Sequence, residues 1–198
     1  MVTVLISALL GGLLLLAGVP HLRDREGRLV VVRGYRLLPE AGERLVAGVL
    51  PYVEILLGVL LVAGLGAPLA PAAAGVLFLI FFAALAINLL RGRRELDCGC
   101  FAFAKAEGSA PRIGWFHAGR ALVLAALAVV LAVTPGGYGI GVTPVAEHLL
   151  GSVLAALVLA IGLAVLAVRR VIHPHGHAVD THLSRARAQL RVASRARP

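Results

Sequence analysis

Five apolar runs, each long enough to cross a lipid bilayer, constrain this chain more than any other feature. They lie at about residues 2–19, 45–65, 68–90, 115–133 and 145–168. At about 1.5 Å per helical residue, each run reaches across a hydrocarbon core about 30 Å thick. Lipid offers no partners to the backbone, so a spanning segment must satisfy its own hydrogen bonds. The alternating pattern of a membrane β-barrel is absent. The fold class is therefore all-α, a polytopic membrane helix bundle. Composition agrees, because 60% of the 198 residues are hydrophobic and the mean hydropathy is +0.93. A soluble domain of this length cannot bury that much apolar surface.

The first run begins Met1-Val2-Thr3-Val4, with no positive residues ahead of it and a weak cleavage pattern. It reads as a retained helix rather than a removed signal peptide.

A net charge of +9 would suggest nucleic acid if the charges were spread evenly. They are not. Residues 21–44 hold six arginines against four acids, 91–114 hold five Lys/Arg against three acids, and 169–198 hold seven arginines against Asp180. The remaining basic residue, Arg120, lies inside the fourth run. Five crossings bring the three basic stretches to one face, which the positive-inside rule makes cytoplasmic. The expected placement is a cell (plasma or inner) membrane, with the N-terminus outside and the C-terminus in the cytoplasm. The basic charge reports topology and attraction to anionic headgroups, so no nucleic-acid partner is expected.

Between the runs, the short Pro/Gly connection at 64–68 predicts a tight antiparallel hairpin, with Pro68 preset for a first helical turn. Abundant small residues (Gly48, Gly58, Gly64, Ala83, Ala84, Ala86) predict close helix packing. The arginine-studded stretch around Val30 and Tyr35-Arg36-Leu37-Leu38-Pro39 predicts a segment lying in the interface plane. Beyond Arg169 the chain turns polar, with His173, His175, His177 and His182 preceding an Arg/Ala tail.

The two cysteines of the chain stand together in Leu96-Asp97-Cys98-Gly99-Cys100-Phe101. Gly99 permits the unusual backbone needed to close so small a disulfide ring. A strained, accessible disulfide exchanges readily, which suits a redox pair better than a structural staple. Arg91, Arg93, Arg94 and Lys105 nearby favour the thiolate, and Asp97 opposes them in part. Two thiolates with tail imidazoles (Cys98, Cys100, His173, His175, His177) are an alternative metal-ligand set for zinc or copper(I). No zinc-finger spacing links them, and two inert thiols at a helix end remain a third reading.

Three polar residues are costly where they stand. Glu54 lies near the membrane midplane, Asn88 in the last turn of the third run, and Arg120 a turn into the fourth. Ionisable groups at such depth face a bundle interior or cavity and are functional candidates. Glu54 must be protonated or paired, and Arg120 is the only intramembrane cation available. Trp115 and His117 read as an interfacial anchor and its neighbour rather than as ligands.

The segments Pro51-Tyr52-Val53-Glu54-Ile55-Leu56-Leu57-Gly58, Asn88-Leu89-Leu90-Arg91-Gly92 and Leu96–Phe101 together resemble the methylamine-utilisation protein MauE family, within the wider DoxX-like membrane proteins. Tyr35–Pro39 and Arg120 fit the same pattern. The resemblance spans roughly residues 3–134. It implies a four-helix membrane unit over 1–134, to which this chain adds a transmembrane helix (135–169) and a cytoplasmic His/Arg-rich tail (170–198). It also implies a helper in maturing or exporting a disulfide-rich partner, in that family the small (beta) subunit of methylamine dehydrogenase, beside a thioredoxin-like protein.

Cys98 and Cys100 are then the exchanging pair, with Glu54, Asn88 and Arg120 supporting them inside the membrane. The sequence leaves open whether the chain is itself a thiol–disulfide oxidoreductase. It also leaves open a non-enzymatic assembly or metal-delivery subunit, or a solute transporter with Glu54 as proton carrier. No cofactor is read from the sequence, and a quinone acceptor stays open. The implied partner lies outside the cytoplasm while the charges put the cysteines inside. Electron transfer across the bundle, a loop dipping inward, or the reverse orientation would each reconcile the two.

Overall fold

The computed structural model describes residues 1–94, 96, 113–134, 139 and 142–172. Six helices follow one another there: α1 (Val2–Arg23), α2 (Arg25–Tyr35), α3 (Glu40–Ala63), α4 (Leu69–Leu90), α5 (Trp115–Val133) and α6 (Val145–Ile172). All but α2 are long and apolar enough to cross a membrane. The chain is thus an all-α bundle with five candidate spans, as its hydropathy predicts. Cys98, Cys100, Asp97, Lys105 and the tail with His173, His175, His177 and His182 lie outside the described residues.

The spans alternate in direction, and contacts at both ends fix the two ends of the bundle. At one end Arg93, just past α4, donates to the carbonyls of Gly34 and Tyr35 at the close of α2, at 2.8 and 3.2 Å. At the other, the Met1 amino group lies 3.0 Å from Glu147 of α6, and His148 Nε2 lies 3.1 Å from the Val62 carbonyl of α3. The first end gathers residues 21–44, 91–94 and the close of α6, so the described parts of the basic stretches share one end.

α2 gives form to the arginine-studded stretch. The Asp24 side chain accepts the Gly27 N–H at 2.8 Å and caps the helix. Arg28 reaches back to the His21 carbonyl near the end of α1, so α1 turns a corner with its terminal polar groups engaged. Arg36, left-handed at φ 50°, ends α2. No residue of α2 is buried, consistent with a polar helix at the bundle's end.

Packing follows small residues, because lipid is as apolar as the side chains it surrounds. Along α3 the buried positions are Ala47, Pro51, Glu54, Leu57, Gly58 and Leu61, one stripe at three- and four-residue spacing. α1 runs antiparallel along this stripe. A Cβ on Gly11 would sit 2.6 Å from the Gly58 carbonyl, and one on Gly18 would sit 3.1 Å from that of Pro51. Ser7 Oγ adds a buried hydrogen bond of 2.7 Å to the Leu61 carbonyl. α4 lies mainly against α5, where Gly75 faces Ala125, Ala128 and Val129. α6 runs parallel to α1, with Gly151 against Val4 and Leu159 against Gly12.

Two expectations are corrected here. α3 and α4 are consecutive, yet they are not the closely packed pair; small residues draw α1 to α3 and α4 to α5 instead. Gly48, counted among the close-packing glycines, has nothing within 4 Å of where a Cβ would stand, while Gly11 and Gly18 make the close approaches. The helices also outrun the apolar segments: α1 continues through Pro20 to Arg23, and α3 begins at Glu40. Helix hydrogen bonding does not stop where hydropathy falls.

Candidate functional site: a buried carboxylate and the anchor of the cysteine segment

Glu54 belongs to the inward stripe of α3, fourteen residues after Glu40 and nine before Ala63. At about 1.5 Å per residue that is roughly 21 Å from one end of the helix and 14 Å from the other. The residue is 1% exposed. Helical spacing alone turns it inward, since the flanking Tyr52 and Leu56 face outward.

A basic neighbour of the carboxylate is one that hydropathy had hidden. His21, in the last turn of α1, puts Nδ1 3.6 Å from Glu54 Oε2, and both side chains are almost fully enclosed. That separation exceeds a hydrogen bond, and neither atom has a hydrogen-bond partner. Burying a lone carboxylate costs several kcal/mol. An imidazolium at this distance would return about 4–5 kcal/mol at an effective dielectric of about 20. The two terms are of equal size, so the pair is tolerable where either ion alone would not be. The expectation that Arg120 is the only basic partner within reach is therefore corrected: α1 contributes a second basic side chain, His21, 3.6 Å from the carboxylate.

Arg120 is nonetheless nearby. It lines, with Glu54, a small cavity at the centre of α1, α3, α4 and α5, with His117 and the apolar side chains of Leu14, Phe81 and Leu85. His117, expected to be only a neighbour of the interfacial Trp115, is thus part of the wall. Its Nδ1 accepts the Gly114 N–H at 3.2 Å, which fixes the ring at the start of α5. The cavity measures about 30 Å³. Water needs roughly 10–15 Å³ of such space, whereas organic ligands occupy pockets of several hundred Å³. The wall is almost wholly apolar and offers a water few partners, and the space is too small for a quinone ring.

Asn88 serves a different part of the site. It is 0% exposed, and its Nδ2 donates to the Ala84 carbonyl at 3.0 Å. Its Oδ1 accepts from Arg93 at 3.0 Å. The same guanidinium holds Gly34 and Tyr35, so one planar fork ties the end of α4 to the end of α2. One residue on, the Arg94 carbonyl accepts the Ile113 N–H at 2.9 Å. Ile113 is buried against Leu85, Leu89, Ala118 and Ala121, with Tyr35 and Leu96 packed alongside. The segment bearing Cys98 and Cys100 therefore leaves and re-enters the bundle through one anchored gate, at the basic end and on the side of Glu54 where Asn88 and Arg120 lie.

The candidate residues fall into two groups. Glu54, Arg120 and His117 line one cavity, and His21 meets Glu54 beside it; Asn88 belongs to the gate. Among the described residues no three His, Cys, Asp or Glu side chains converge as metal ligands. Sequence reasoning missed His21 and the clamp of Arg93. A signal for His21 existed in Pro20-His21, just past the first apolar run and toward the basic stretch that follows it. Nothing in the sequence announced which carboxylate it would meet.

A family model described as "Methylamine utilisation protein MauE" matches residues 1–134. Among curated relatives, methylamine utilization protein MauE of Paracoccus denitrificans is 43% identical over 144 residues, covering 72% of this chain and 75% of that one. The protein of the same name from Methylorubrum extorquens is 42% identical over 138 residues, 68% of this chain and 72% of that one. That of Methylophilus methylotrophus is 38% identical over 119 residues, 60% of this chain and 61% of that one. No solved structure matches.

Proposed function

The chain belongs to the methylamine utilisation protein MauE family, and from that premise we propose that it is a membrane thiol–disulfide redox helper with Cys98 and Cys100 as its exchanging pair. Its task is to mature or export a disulfide-rich partner of methylamine metabolism, the small (beta) subunit of methylamine dehydrogenase, beside a thioredoxin-like protein. Residues 1–134 form the working unit. The helix within 135–169 and the tail 170–198 are additions, the helix reinforcing α1. The basic end of the bundle faces the cytoplasm of a plasma or inner membrane, with the N-terminus outside.

The observation that carries this reading is the anchored gate. Anchoring favours exchange by presenting a thiol pair to its partner at one place, and here Arg93, Asn88, Arg94 and Ile113 hold the residues flanking the cysteine segment against the bundle. In the exchange, a partner thiolate attacks one sulfur of the Cys98–Cys100 disulfide. The S–S bond breaks, a mixed disulfide forms, and the second cysteine leaves as a thiolate. A second partner thiolate then attacks the mixed disulfide. The partner loses two electrons to form its own disulfide, and Cys98 and Cys100 are left reduced. A thioredoxin-like protein in its disulfide form reoxidises them by the reverse sequence.

The test is cysteine replacement. Cys98→Ser, Cys100→Ser and the double variant should accumulate in the membrane near normal levels, because insertion is driven by the apolar spans. Each single variant should lose function, and one should trap a partner as a covalent complex on a non-reducing gel. Loss of bound zinc or copper without a trapped complex would favour metal delivery instead. Full function in the double variant would defeat both.

A further inference from the structure

The polar pair inside the membrane has a use of its own. We infer that Glu54 and His21 form an internal proton-binding site in the bundle, with Arg120 and His117 of α5 set apart from it across a small apolar cavity that Glu54 borders. This stands whether or not the cysteines exchange.

Three observations carry it. First, Glu54 Oε2 and His21 Nδ1 are buried, face each other at 3.6 Å, and have no other hydrogen-bond partner. Buried polar atoms are nearly always hydrogen-bonded, so such a pair calls for an explanation. Second, Glu54 borders a cavity of about 30 Å³ whose wall is almost wholly apolar, and an apolar cavity offers a water too few partners to hold it. Third, the remaining wall is apolar, with Leu14 of α1 and Phe81 and Leu85 of α4. Solvent does not reach the pair freely.

The groups that face the pair can be named element by element. α1 contributes His21 itself; α2 contributes Arg28, held on the His21 carbonyl; α5 contributes Arg120 and His117. The α4 side chains lining the cavity carry no titratable group. The pair holds one proton in either of two arrangements. It is bonded to a carboxyl oxygen of Glu54, or it has moved to His21 Nδ1, with the O–H bond broken and an N–H bond formed.

The test is infrared difference spectroscopy of the full chain in lipid nanodiscs, stepped in pH, in H₂O and in D₂O. The wild type should show a protonated-carboxyl C=O band that comes and goes over the titrated range and shifts in D₂O. Glu54→Gln should abolish that band, and His21→Gln should move its frequency and its midpoint. Cys98→Ser/Cys100→Ser should leave it in place, which separates this inference from the redox reading. If Glu54→Gln does not fold, Glu54→Asp must displace the band instead. A band that never titrates, that ignores D₂O, or that is untouched by His21→Gln overturns the inference.

Discussion

Replacing Arg93 tests the gate most directly. Its guanidinium donates to Asn88 Oδ1 at 3.0 Å, to the Gly34 carbonyl at 2.8 Å and to the Tyr35 carbonyl at 3.2 Å. Hydrogen bonds to charged groups contribute about 1.5–3 kcal/mol each. Arg93 is half-buried and the two carbonyls close α2 at the bundle's end, so water recovers part of that. Taking about 1 kcal/mol for each bond gives a loss of about 3 kcal/mol for Arg93→Ala, a fraction of that range. The fully buried Asn88 oxygen, left without its donor, accounts for at least a third.

Arg93→Lys keeps the charge but not the planar fork, and should recover about 1 kcal/mol. The assay is unfolding in mixed micelles titrated with SDS, where about 3 kcal/mol moves the equilibrium constant by roughly two powers of ten. Asn88→Leu combined with Arg93→Ala should cost less than the sum of the single changes by about 1 kcal/mol, since residues sharing a hydrogen bond do not act additively. Wild-type stability in Arg93→Ala, or strict additivity in the double variant, would refute the clamp.

Other expectations follow from the same contacts. Gly58→Ala would place a methyl 2.9 Å from the Gly11 carbonyl and 2.8 Å from Leu15 Cγ, and should cost about 1–3 kcal/mol through overpacking, read by the same titration. Gly48→Ala, with nothing within 4 Å, should be neutral or stabilising by up to about 1 kcal/mol. Reporter fusions after Gly66, Pro111, Gly137 and Arg170 should read outside, inside, outside and inside; an outside signal after Arg170 would reverse the orientation. Glu54→Leu should impair function in vivo while Leu56→Val, on the exposed face of α3, should not. Equal behaviour of the two would remove the carboxylate from the mechanism.

The spans were legible because a bilayer imposes length and apolarity on consecutive residues, and consecutive residues are what a sequence displays. Glu54, Asn88 and Arg120 stood out for the same reason, as polar residues in apolar runs. His21 did not, because it sits just beyond the run that ends at Val19, where polarity is unremarkable. Its meeting with Glu54 joins residues 33 positions apart across the α1–α3 crossing, and hydropathy carries no information about such pairs. The close packing of α1 on α3 was half legible: glycines suggested it, but only the crossing decided that Gly11 and Gly18 matter and Gly48 does not. The anchored gate combines a local contact, Asn88 to Arg93, with distant ones to Gly34 and Tyr35, and the distant half was invisible.

Pro20 immediately precedes His21, and Pro51 lies one turn before Glu54, both inside their helices. A proline offers no N–H, so the carbonyls of Leu16 and Ala47 each lose the rung that would have linked them to the next turn. Two neighbouring rods are thereby notched at one height, and Gly18 at the same level lets them touch backbone to backbone. Bending stiffness in a helix resides in its ladder of rungs, so α1 and α3 yield most easily where the carboxylate meets the imidazole. Proline is where a helix bends most readily, and a bend of α1 at that height would carry with it the corner leading into α2.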